Sequence, residues 1–401
     1  MRLVLVAPRF PFPLDKGDRL TVHHLVRHLG ARHQVWLACF LEPDQEPAWV
    51  DELRPYCEQV RTVPLARPRA YLNSARAVVG RTPLQVRYYA DGRMQRLVDD
   101  LIARVRPDVL YAHTIRMGPY TVGHRDLPRV LAMQISMTLQ YRRLAAETRG
   151  PVRRFYDLEY RKLRAFEGPF ARRFDRVLLI SPHDLRGIEH DPPEPSRVVF
   201  NPHGVDGARF APDPATEKRP GTIVFSGNLA YPPNVDAARW FHTAIWPRVV
   251  AEVPSARWDV VGADPAPEVA AMAADPRITV PGRVPDLVPY LDRAEVAIDP
   301  LRIGAGLQNK VLEGMAVGLP MVVTTIANEG IQATPGAHLL VADDEAGFAA
   351  EVVRLLRDAD LRVRLGAAAR AHILAAWSWE HHFADLERVF EELVAGRRGH
   401  A

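Results

Sequence analysis

The side chains with the most evident chemical potential lie between residues 300 and 320. Gly304 and Gly306 follow a short apolar run, and Lys310 comes four residues after the second glycine. Glycines let backbone amides approach a bulky anion closely, and a helix that begins near Gly306 or Leu307 would direct free N–H groups toward it. We therefore predict a diphosphate-binding turn, with Lys310 adding positive charge in the first helical turn. Taken alone, the glycines equally allow an ordinary turn between a strand and a helix.

Glu313 extends this pattern, because it follows Asn309 by one helical turn. A carboxylate in that position can accept hydrogen bonds from two hydroxyl groups of a ribose. Leu307, Gln308 and Asn309 would supply the backbone amides at the start of the helix. The segment thus predicts a nucleotide-binding loop followed by a ribose-binding carboxylate.

Two positions near the start of the chain also suit a ligand. Gly17 lies where a long loop, residues 8–19, enters a helix, so that a phosphate or sugar could approach closely; a plain turn with a helix cap is the alternative. His113 directly follows a short apolar strand, and ligands of parallel sheets bind at the carboxyl ends of strands. A lone histidine can equally be structural, and its position alone does not decide between the two roles.

The elements that would hold these residues alternate along the chain. Short β-branched runs are separated by segments with helical spacing, such as residues 20–29 and 94–105, which predicts parallel strands covered by helices. The predicted strands are residues 3–7, 34–40, 60–65, 109–112, 130–133, 177–180 and 198–200, followed by 223–225, 258–261, 278–280, 296–298, 321–324 and 338–341.

A Pro/Gly/Asp-rich stretch at residues 201–221 interrupts this rhythm. We therefore predict an α/β protein with two Rossmann-like, doubly wound domains, residues 1–200 and 201–375, which face each other across a cleft. A C-terminal helix, residues 376–401, is expected to pack back on the first domain. Such sheets bind ligands at the carboxyl ends of their strands.

The composition excludes several classes of protein. The chain has 401 residues, 47% apolar and 25% charged, with a net charge of +4 and two cysteines, Cys39 and Cys57. These values argue against a disulfide-stapled, fibrous or nucleic-acid-binding protein. The N-terminus lacks the pattern of a signal peptide, and no run reaches the length of a membrane span, so we expect a cytoplasmic protein. No Asp-x-Asp metal motif, nucleophile elbow or P-loop is evident, and no cofactor or divalent metal is expected.

A basic stretch with interleaved aromatic residues covers residues 142–173. Its first interpretation is a solvated helix face, because acidic residues are mixed into it. The alternative is a surface for an anionic lipid or a lipid-phosphate acceptor at the inner face of the membrane. The residues assigned to that alternative are Arg153, Arg154, Arg161 and Lys162.

The segment around Glu313 resembles the donor motif of the family 4 retaining glycosyltransferases, which have the GT-B fold. In that motif two glutamates, separated by seven residues, precede a small-Met-Ala-x-Gly-x-Pro run. Glu313 matches the second glutamate, and Gly314 to Pro320 continues the run, whereas Ala305 replaces the first glutamate. A subset of the family with Gly-x-Gly and a lysine resembles the chain more closely.

Other segments share the resemblance. The loop at residues 225–236 is similar to the loop under the donor phosphates, where it places Gly227 and Asn228, although the family's usual arginine is missing. The loop containing Arg283 and Val284 is similar to the one whose backbone contacts the base. The position of His113 resembles that of the histidine that reaches the donor sugar.

The resemblance implies a metal-independent, retaining transferase of the hexosyltransferase type that uses a UDP- or GDP-linked sugar. His113, Lys310 and Glu313 would be its catalytic residues. A glycan, a lipid-linked saccharide or a small molecule would be the acceptor, as in polysaccharide biosynthesis, and nucleic acid is not an expected partner. Because Ala305 and the missing loop arginine depart from the family pattern, a catalytically degenerate sugar-nucleotide-binding protein is the alternative.

Overall fold

The computed structural model describes residues 1–13, 17–43, 45, 47–147, 150–303 and 307–398. The chain forms two compact units, one of Met1–His203 with His382–Ala401 and the other of Gly204–His381. The residues just after the predicted boundary at 375 group with the second unit. Their attachment there is a β-bridge in which the amide of Val205 donates to the carbonyl of Trp377 at 2.8 Å.

The first unit contains a seven-stranded sheet in which all neighbouring strands are parallel, in the order β3-β2-β1-β4-β5-β6-β7. The central strands are buried on both faces, which explains their nearly continuous apolar sequences. The strands are β1 (Arg2–Ala7), β2 (Gln34–Leu41), β3 (Gln59–Pro64), β4 (Val109–His113), β5 (Arg129–Gln134), β6 (Arg176–Leu179) and β7 (Val198–Phe200).

Seven α-helices connect these strands in the described part of the first unit. They are α1 (Gly17–Gly30), α2 (Arg67–Ala77), α3 (Leu84–Tyr88), α4 (Gly92–Val105), α5 (Met137–Glu147), α6 (Pro151–Ala171) and α7 (Pro182–Gly187). Side-chain caps fix some of their starts: the Asp91 carboxylate accepts from the amide of Arg93 at the start of α4, and the Ser181 hydroxyl accepts from the amide of Asp184 in α7.

The inward face of α6 carries buried charged groups that hold other elements. Glu159 accepts hydrogen bonds from the amides of Leu84 and Gln85 at 2.8 and 3.1 Å, so it caps α3. Glu167 accepts from the hydroxyl of Ser136 at 3.0 Å and from two amides at the start of α5. The ammonium of Lys162 donates to backbone carbonyls between α2 and α3. Helix α6 therefore organises α3, α5 and the α2–α3 turn.

The second unit contains a six-stranded parallel sheet in the order β10-β9-β8-β11-β12-β13. The strands are β8 (Thr222–Ser226), β9 (Arg257–Val261), β10 (Ile278–Gly282), β11 (Val296–Asp299), β12 (Met321–Val323) and β13 (Leu340–Val341). The order reverses between β8 and β11, as expected for a doubly wound sheet. All thirteen predicted strands and the α/β class are confirmed.

The helices of the second unit cover both faces of this sheet. They are α8 (Pro232–Trp240), α9 (Trp246–Glu252), α10 (Pro267–Ala270), α11 (Val288–Arg293), α12 (Asn309–Ala316), α13 (Thr325–Asn328), α14 (Glu345–Arg357) and α15 (Ala359–Ala376). A π-helical turn, Phe241–Ile245, joins α8 to α9, and its Phe241 ring packs on the buried indole of Trp258 with the ring centres 4.7 Å apart. Aromatic packing of this kind anchors the helices to the sheet.

The last helix, α16 (Trp379–Arg398), begins in the second unit and joins the first from His382 onward. Its Glu387 carboxylate lies 3.2 Å from Nε2 of His28 and 2.7 Å from Nε2 of His33, which fastens α16 to the end of α1 and the turn after it. Within the described ranges, every helix is too short or too polar to span a bilayer.

Candidate functional site

Several predicted donor residues of the second unit lie near β8 and β11, where its strand order reverses. Strand β11 ends at the fully buried Asp299, and β8 ends at Ser226. Helix α12 begins at Asn309, two to three residues later than the predicted start near Gly306 or Leu307, because the backbone of Gln308 is extended rather than helical. Gly304 and Gly306, with Ala305, lie outside the described residues. The loops after β8 and β11 therefore frame the site.

Lys310, the second residue of α12, contacts residues of α8, of β11 and of the segment just before α12. Its ammonium lies 2.9 Å from Oδ1 of Asn234, 3.2 and 3.3 Å from the two carboxylate oxygens of Asp299, and 3.3 Å from Oε1 of Gln308. It also lies 5.5 Å from the centre of the Phe225 ring, within the range of a cation–π contact. Its side chain is only 9% exposed. Lys310 thus lies in the first turn of α12 with its charge balanced by a buried carboxylate, and its contact with a diphosphate stays a prediction.

Asp299 and Asn234 contact Lys310, and sequence reasoning did not select either as a site residue. Burial raises the pKa of the Asp299 carboxyl, and the adjacent Lys310 lowers it. Asn234 is also buried, and its amide donates to the carbonyl of Asn228 at 2.9 Å. Asn234 lies in the segment already assigned to the phosphates, and Asp299 directly ends the strand before the glycine turn. Their positions were available from the sequence, but their contacts with Lys310 were not.

Gly227 makes room for this cluster. Its φ of +151° is one that residues with a Cβ rarely adopt, and an added Cβ would lie 2.9 Å from Nδ2 of Asn234 and 3.4 Å from Cε of Lys310. The neighbouring Asn228 is exposed, and its side chain accepts a hydrogen bond from the amide of Ala230 at 2.9 Å. The glycine is therefore required by the packing of Asn234 and Lys310.

Glu313 faces this cluster with unused hydrogen-bonding capacity. It is half-buried, and within the described part of the chain its carboxyl group has no hydrogen-bond or ion-pair partner. Burial raises the pKa of Glu313 to about 7, although the positive charges of Arg209 and Lys310 lower it. A carboxyl group in this state can bind hydroxyl groups of a ligand through both oxygens. This arrangement is compatible with the predicted ribose contact.

The loop after β10 lies beside the end of β9. The amide of Gly262 donates to the carbonyl of Gly282 at 3.2 Å, and Gly282 has a φ of +76°. Arg283 is exposed and its guanidinium lies 3.3 Å from the Asp264 carboxylate, whereas Val284 packs partly buried against the core of the unit. Leu307 packs against the same core, and Asn309 is exposed. The carboxyl ends of β8 to β11 thus form one edge of the sheet. The segments along that edge contain Arg283, Val284, Leu307 and Asn309, which the sequence predicts to contact the donor.

In the first unit, His113 is the last residue of β4, and Gly17 begins α1, the helix after β1. The order of the sheet reverses between β1 and β4. His113 is 1% exposed, its Nδ1 lies 3.2 Å from the Tyr111 hydroxyl, and its Nε2 is buried with no hydrogen-bond partner in the described structure. Burial lowers the pKa of His113 to about 4, helped by His203 and opposed by Asp18. The imidazole is therefore neutral at pH 7.

Gly17 is exposed at the start of α1, and a Cβ there would contact no atom within 4 Å. The packing of the described residues does not require a glycine at this position, so its ligand contact stays a prediction. Its carbonyl accepts a hydrogen bond from Thr21, whose hydroxyl also lies 3.0 Å from Nδ1 of His203. Sequence reasoning missed this contact with His203, which is 182 residues away from Thr21 in the chain.

The basic stretch divides into two groups. Arg153, Arg154 and Arg161 are exposed. Lys162 is buried, and its ammonium donates hydrogen bonds to the carbonyls of Ala77 and Gly80, so it does not belong to an exposed basic face. No group of three or more His, Cys, Asp or Glu side chains placed to hold a metal occurs among the residues that the structure describes.

Residues 220–358, within the second unit, match the family model described as Glycosyl transferases group 1. A GDP-mannose-dependent monoacylated α-(1-6)-phosphatidylinositol monomannoside mannosyltransferase from Corynebacterium glutamicum is 30% identical over 200 residues, which cover 45% of this chain and 52% of the relative. An uncharacterized protein from the cps region of Klebsiella pneumoniae is 28% identical over 140 residues, 33% of this chain and 36% of its own. The matches thus span about half or less of these curated relatives.

Solved structures match over nearly the whole chain. Sucrose-phosphate synthase from Thermosynechococcus elongatus has a TM-score of 0.66 at 17% identity, with 98% of this chain and 99% of that chain covered. The Anabaena protein HepE, solved in complex with UDP and glucose, has a TM-score of 0.62 at 11% identity, with 98% and 100% covered. At these identities the likeness concerns architecture, and it shows that the protein has the GT-B fold.

Proposed function

We propose that this protein is a glycosyltransferase that moves a sugar from a UDP- or GDP-linked donor to a glycan, lipid-linked or small-molecule acceptor, with retention of anomeric configuration. The observation that carries the proposal is the position of Lys310. Its ammonium lies between Asn234 of α8 and Asp299 at the carboxyl end of β11, and open α/β sheets bind their ligands at the carboxyl ends of their strands. The carboxyl group of Glu313, which has no partner among the described residues, lies one helical turn further along the same helix.

The relatives support this choice. The matched family model is described as Glycosyl transferases group 1. Its match, residues 220–358, lies within the second unit and includes Lys310 and Glu313. The Corynebacterium relative is named for a GDP-mannose donor and a phosphatidylinositol mannoside acceptor, and HepE was solved with UDP. Both UDP and GDP donors are therefore part of the proposal, as is a lipid-linked acceptor.

The proposed chemistry requires charge stabilisation on the departing diphosphate. The bond between the anomeric carbon and the diphosphate oxygen breaks, and the acceptor oxygen forms the new bond to that carbon while its proton passes to the leaving phosphate. Lys310 and the amides at the start of α12 would bind the developing negative charge. No step in the proposal requires a divalent metal. Glu313 would hold the ribose hydroxyls.

His113 has a different proposed part. Because its pKa is about 4, its imidazole is neutral at pH 7 and acts through hydrogen bonding rather than charge. The buried Nε2 is available to a hydroxyl group of the donor sugar, which is the contact that the family resemblance implies. Its removal should therefore affect sugar transfer more than binding of the free nucleoside diphosphate.

Calorimetric titration with UDP, GDP, ADP and TDP in the presence of EDTA, followed by turnover with the matching sugar nucleotides, tests the proposal. We expect one nucleotide to bind selectively and Glu313→Gln to weaken it by about tenfold, the scale of a lost charged hydrogen bond. Glu217→Gln, which changes an exposed glutamate of the same unit, is the control and should bind normally. Equal binding by both variants would remove Glu313 from the donor site.

A degenerate sugar-nucleotide-binding protein is the second candidate. The observation in its favour is that the Lys310 ammonium already lies near four acceptor oxygens, so that its charge is balanced without a ligand. Selective nucleotide binding without turnover on any lipid-linked, glycan or small-molecule acceptor would support this candidate. Release of nucleoside diphosphate coupled to an acceptor would exclude it.

A further inference from the structure

Exposed apolar side chains are concentrated on one part of the first unit. Of the ten large apolar side chains that are exposed in the described structure, six lie on α2, on the turn after it and at the start of α6. Val79 is 95% exposed and Tyr71 64%. The six residues are Tyr71, Leu72, Val78, Val79, Val152 and Phe155. A cluster of this kind marks an interaction surface more often than scattered single residues do.

The buried side of α6 explains why these two segments form one surface. Val152, Phe155, Glu159 and Lys162 follow one another at helical spacing, so they share one face of α6. Glu159 and Lys162 hold the segment from Ala77 to Gln85 through backbone hydrogen bonds. The same face continues past this segment, where Val152 and Phe155 remain uncovered beside it. We call these six exposed residues, together with the exposed Arg76, Arg81 and Arg154, the α2–α6 surface.

The charge of this surface is of one sign. Between Glu58 and Asp91 the chain contains six arginines and no acidic residue. Arg76, Arg81 and Arg154 are exposed, and in the described part of the chain none of them forms an ion pair with a carboxylate. Unpaired arginines beside exposed aromatic and aliphatic side chains are the composition that binds the headgroup region of anionic membranes.

We propose that the α2–α6 surface docks the protein on an anionic lipid bilayer. Val78, Val79 and Phe155 would enter the boundary between headgroups and acyl chains, while Arg76, Arg81 and Arg154 would lie at the lipid phosphates. This surface shares Val152, Arg154 and Phe155 with the basic stretch of residues 142–173, but its other members lie on α2 and the turn after it. Lys162 is buried beneath it. The proposal does not depend on the transferase activity, since it concerns lipid binding without donor or acceptor.

Flotation of the full chain with vesicles tests the proposal. Vesicles of phosphatidylglycerol and phosphatidylcholine in equal parts should carry the protein, and pure phosphatidylcholine vesicles should carry much less. The double substitution Val79→Ser/Arg81→Glu should weaken binding by at least about tenfold, because each basic residue near an anionic surface contributes severalfold. Val152→Ser/Arg154→Glu, on the other arm of the surface, should have a similar effect.

The chain offers a matched control in the second unit. Val363 is 72% exposed and Arg364 is exposed beside it, so Val363→Ser/Arg364→Glu makes the same chemical change elsewhere. This variant should bind vesicles like the unsubstituted chain. Far-ultraviolet circular dichroism and the melting temperature should be equal for all three variants, because the substituted side chains are exposed.

Three outcomes would overturn the proposal. The first is an equal loss of binding in the control variant, which would indicate a general charge effect. The second is unchanged binding in both surface variants. The third is an absence of vesicle binding together with concentration-dependent self-association that Val79→Ser/Arg81→Glu abolishes, which would assign the surface to a second copy of the chain.

Discussion

The pairing of Lys310 with Asp299 leads to a prediction in which one substitution lowers both stability and donor affinity, and a second substitution restores only the stability. In Lys310→Met the fully buried Asp299 carboxylate loses its cation. An uncompensated buried carboxylate takes up a proton instead of remaining charged. Protonating an aspartate of ordinary pKa, about 3.9, costs about 4 kcal/mol at pH 7 and about 1.5 kcal/mol at pH 5. These values set the expected loss in the free energy of unfolding.

The sign of the pH dependence follows from the same reasoning. In this variant the pKa of Asp299 is higher in the folded than in the unfolded protein, so stability is lost as pH rises above the unfolded value. Lys310→Met should therefore lower the melting temperature of the second unit by about 8–16 °C at pH 7, and by much less at pH 5. Scanning calorimetry at the two pH values measures the difference.

The double substitution Lys310→Met/Asp299→Asn provides the control. It removes both charges, so it should recover most of the stability at pH 7 while donor affinity stays at least about tenfold lower. Equal destabilisation of Lys310→Met at pH 7 and pH 5 would refute the buried-carboxylate reasoning. Full recovery of donor affinity in the double variant would show that Lys310 is needed only to neutralise Asp299.

Three further predictions concern other residues of the two units. Because the pKa of Glu313 is about 7, donor affinity should rise by up to about tenfold between pH 6 and pH 8 in titration calorimetry, and Glu313→Gln should remove this dependence. Gly227→Ala should reduce stability by about 1–3 kcal/mol and weaken the donor, since its Cβ would collide with Asn234; a normal melting temperature and normal binding would contradict the packing argument. Because burial lowers the pKa of His113 to about 4, its contribution to the free energy of unfolding is present above pH 6.5 and lost as pH falls toward 4. His113→Gln should therefore remove about 2 kcal/mol of the stability loss that urea unfolding measures between pH 6.5 and pH 5. An unchanged dependence of the free energy of unfolding on pH would contradict a buried neutral imidazole.

The fold was predictable because it depends on local patterns. Short β-branched runs mark strands buried on both faces, and each predicted run contains a strand of one of the two sheets. The ends of elements depend on single backbone conformations, which explains why α12 begins at Asn309 although its N-terminal pattern suggested a start near Gly306 or Leu307. Strand and helix positions are therefore more predictable than helix starts.

The candidate site was only partly predictable, for reasons of topology. Lys310 and Glu313 could be selected from their spacing after the glycines. The partners of Lys310 could not, because Asn234 is 76 residues away and meets it only if β8 and β11 are neighbours. Lys162 looked like part of a basic surface, since the sequence does not reveal that two carbonyls of the α2–α3 turn surround its ammonium.

Helix α6 has a consequence for how the first unit opens. Its carboxylates hold the amides of Leu84, Gln85, Met137 and Thr138, which belong to helices distant in sequence. Hydrogen exchange at those four amides requires release of the same helix, so α3, the start of α5 and α6 should exchange with deuterium as one cooperative group. A short helix such as α3, which has five residues, would then exchange as slowly as its 21-residue neighbour.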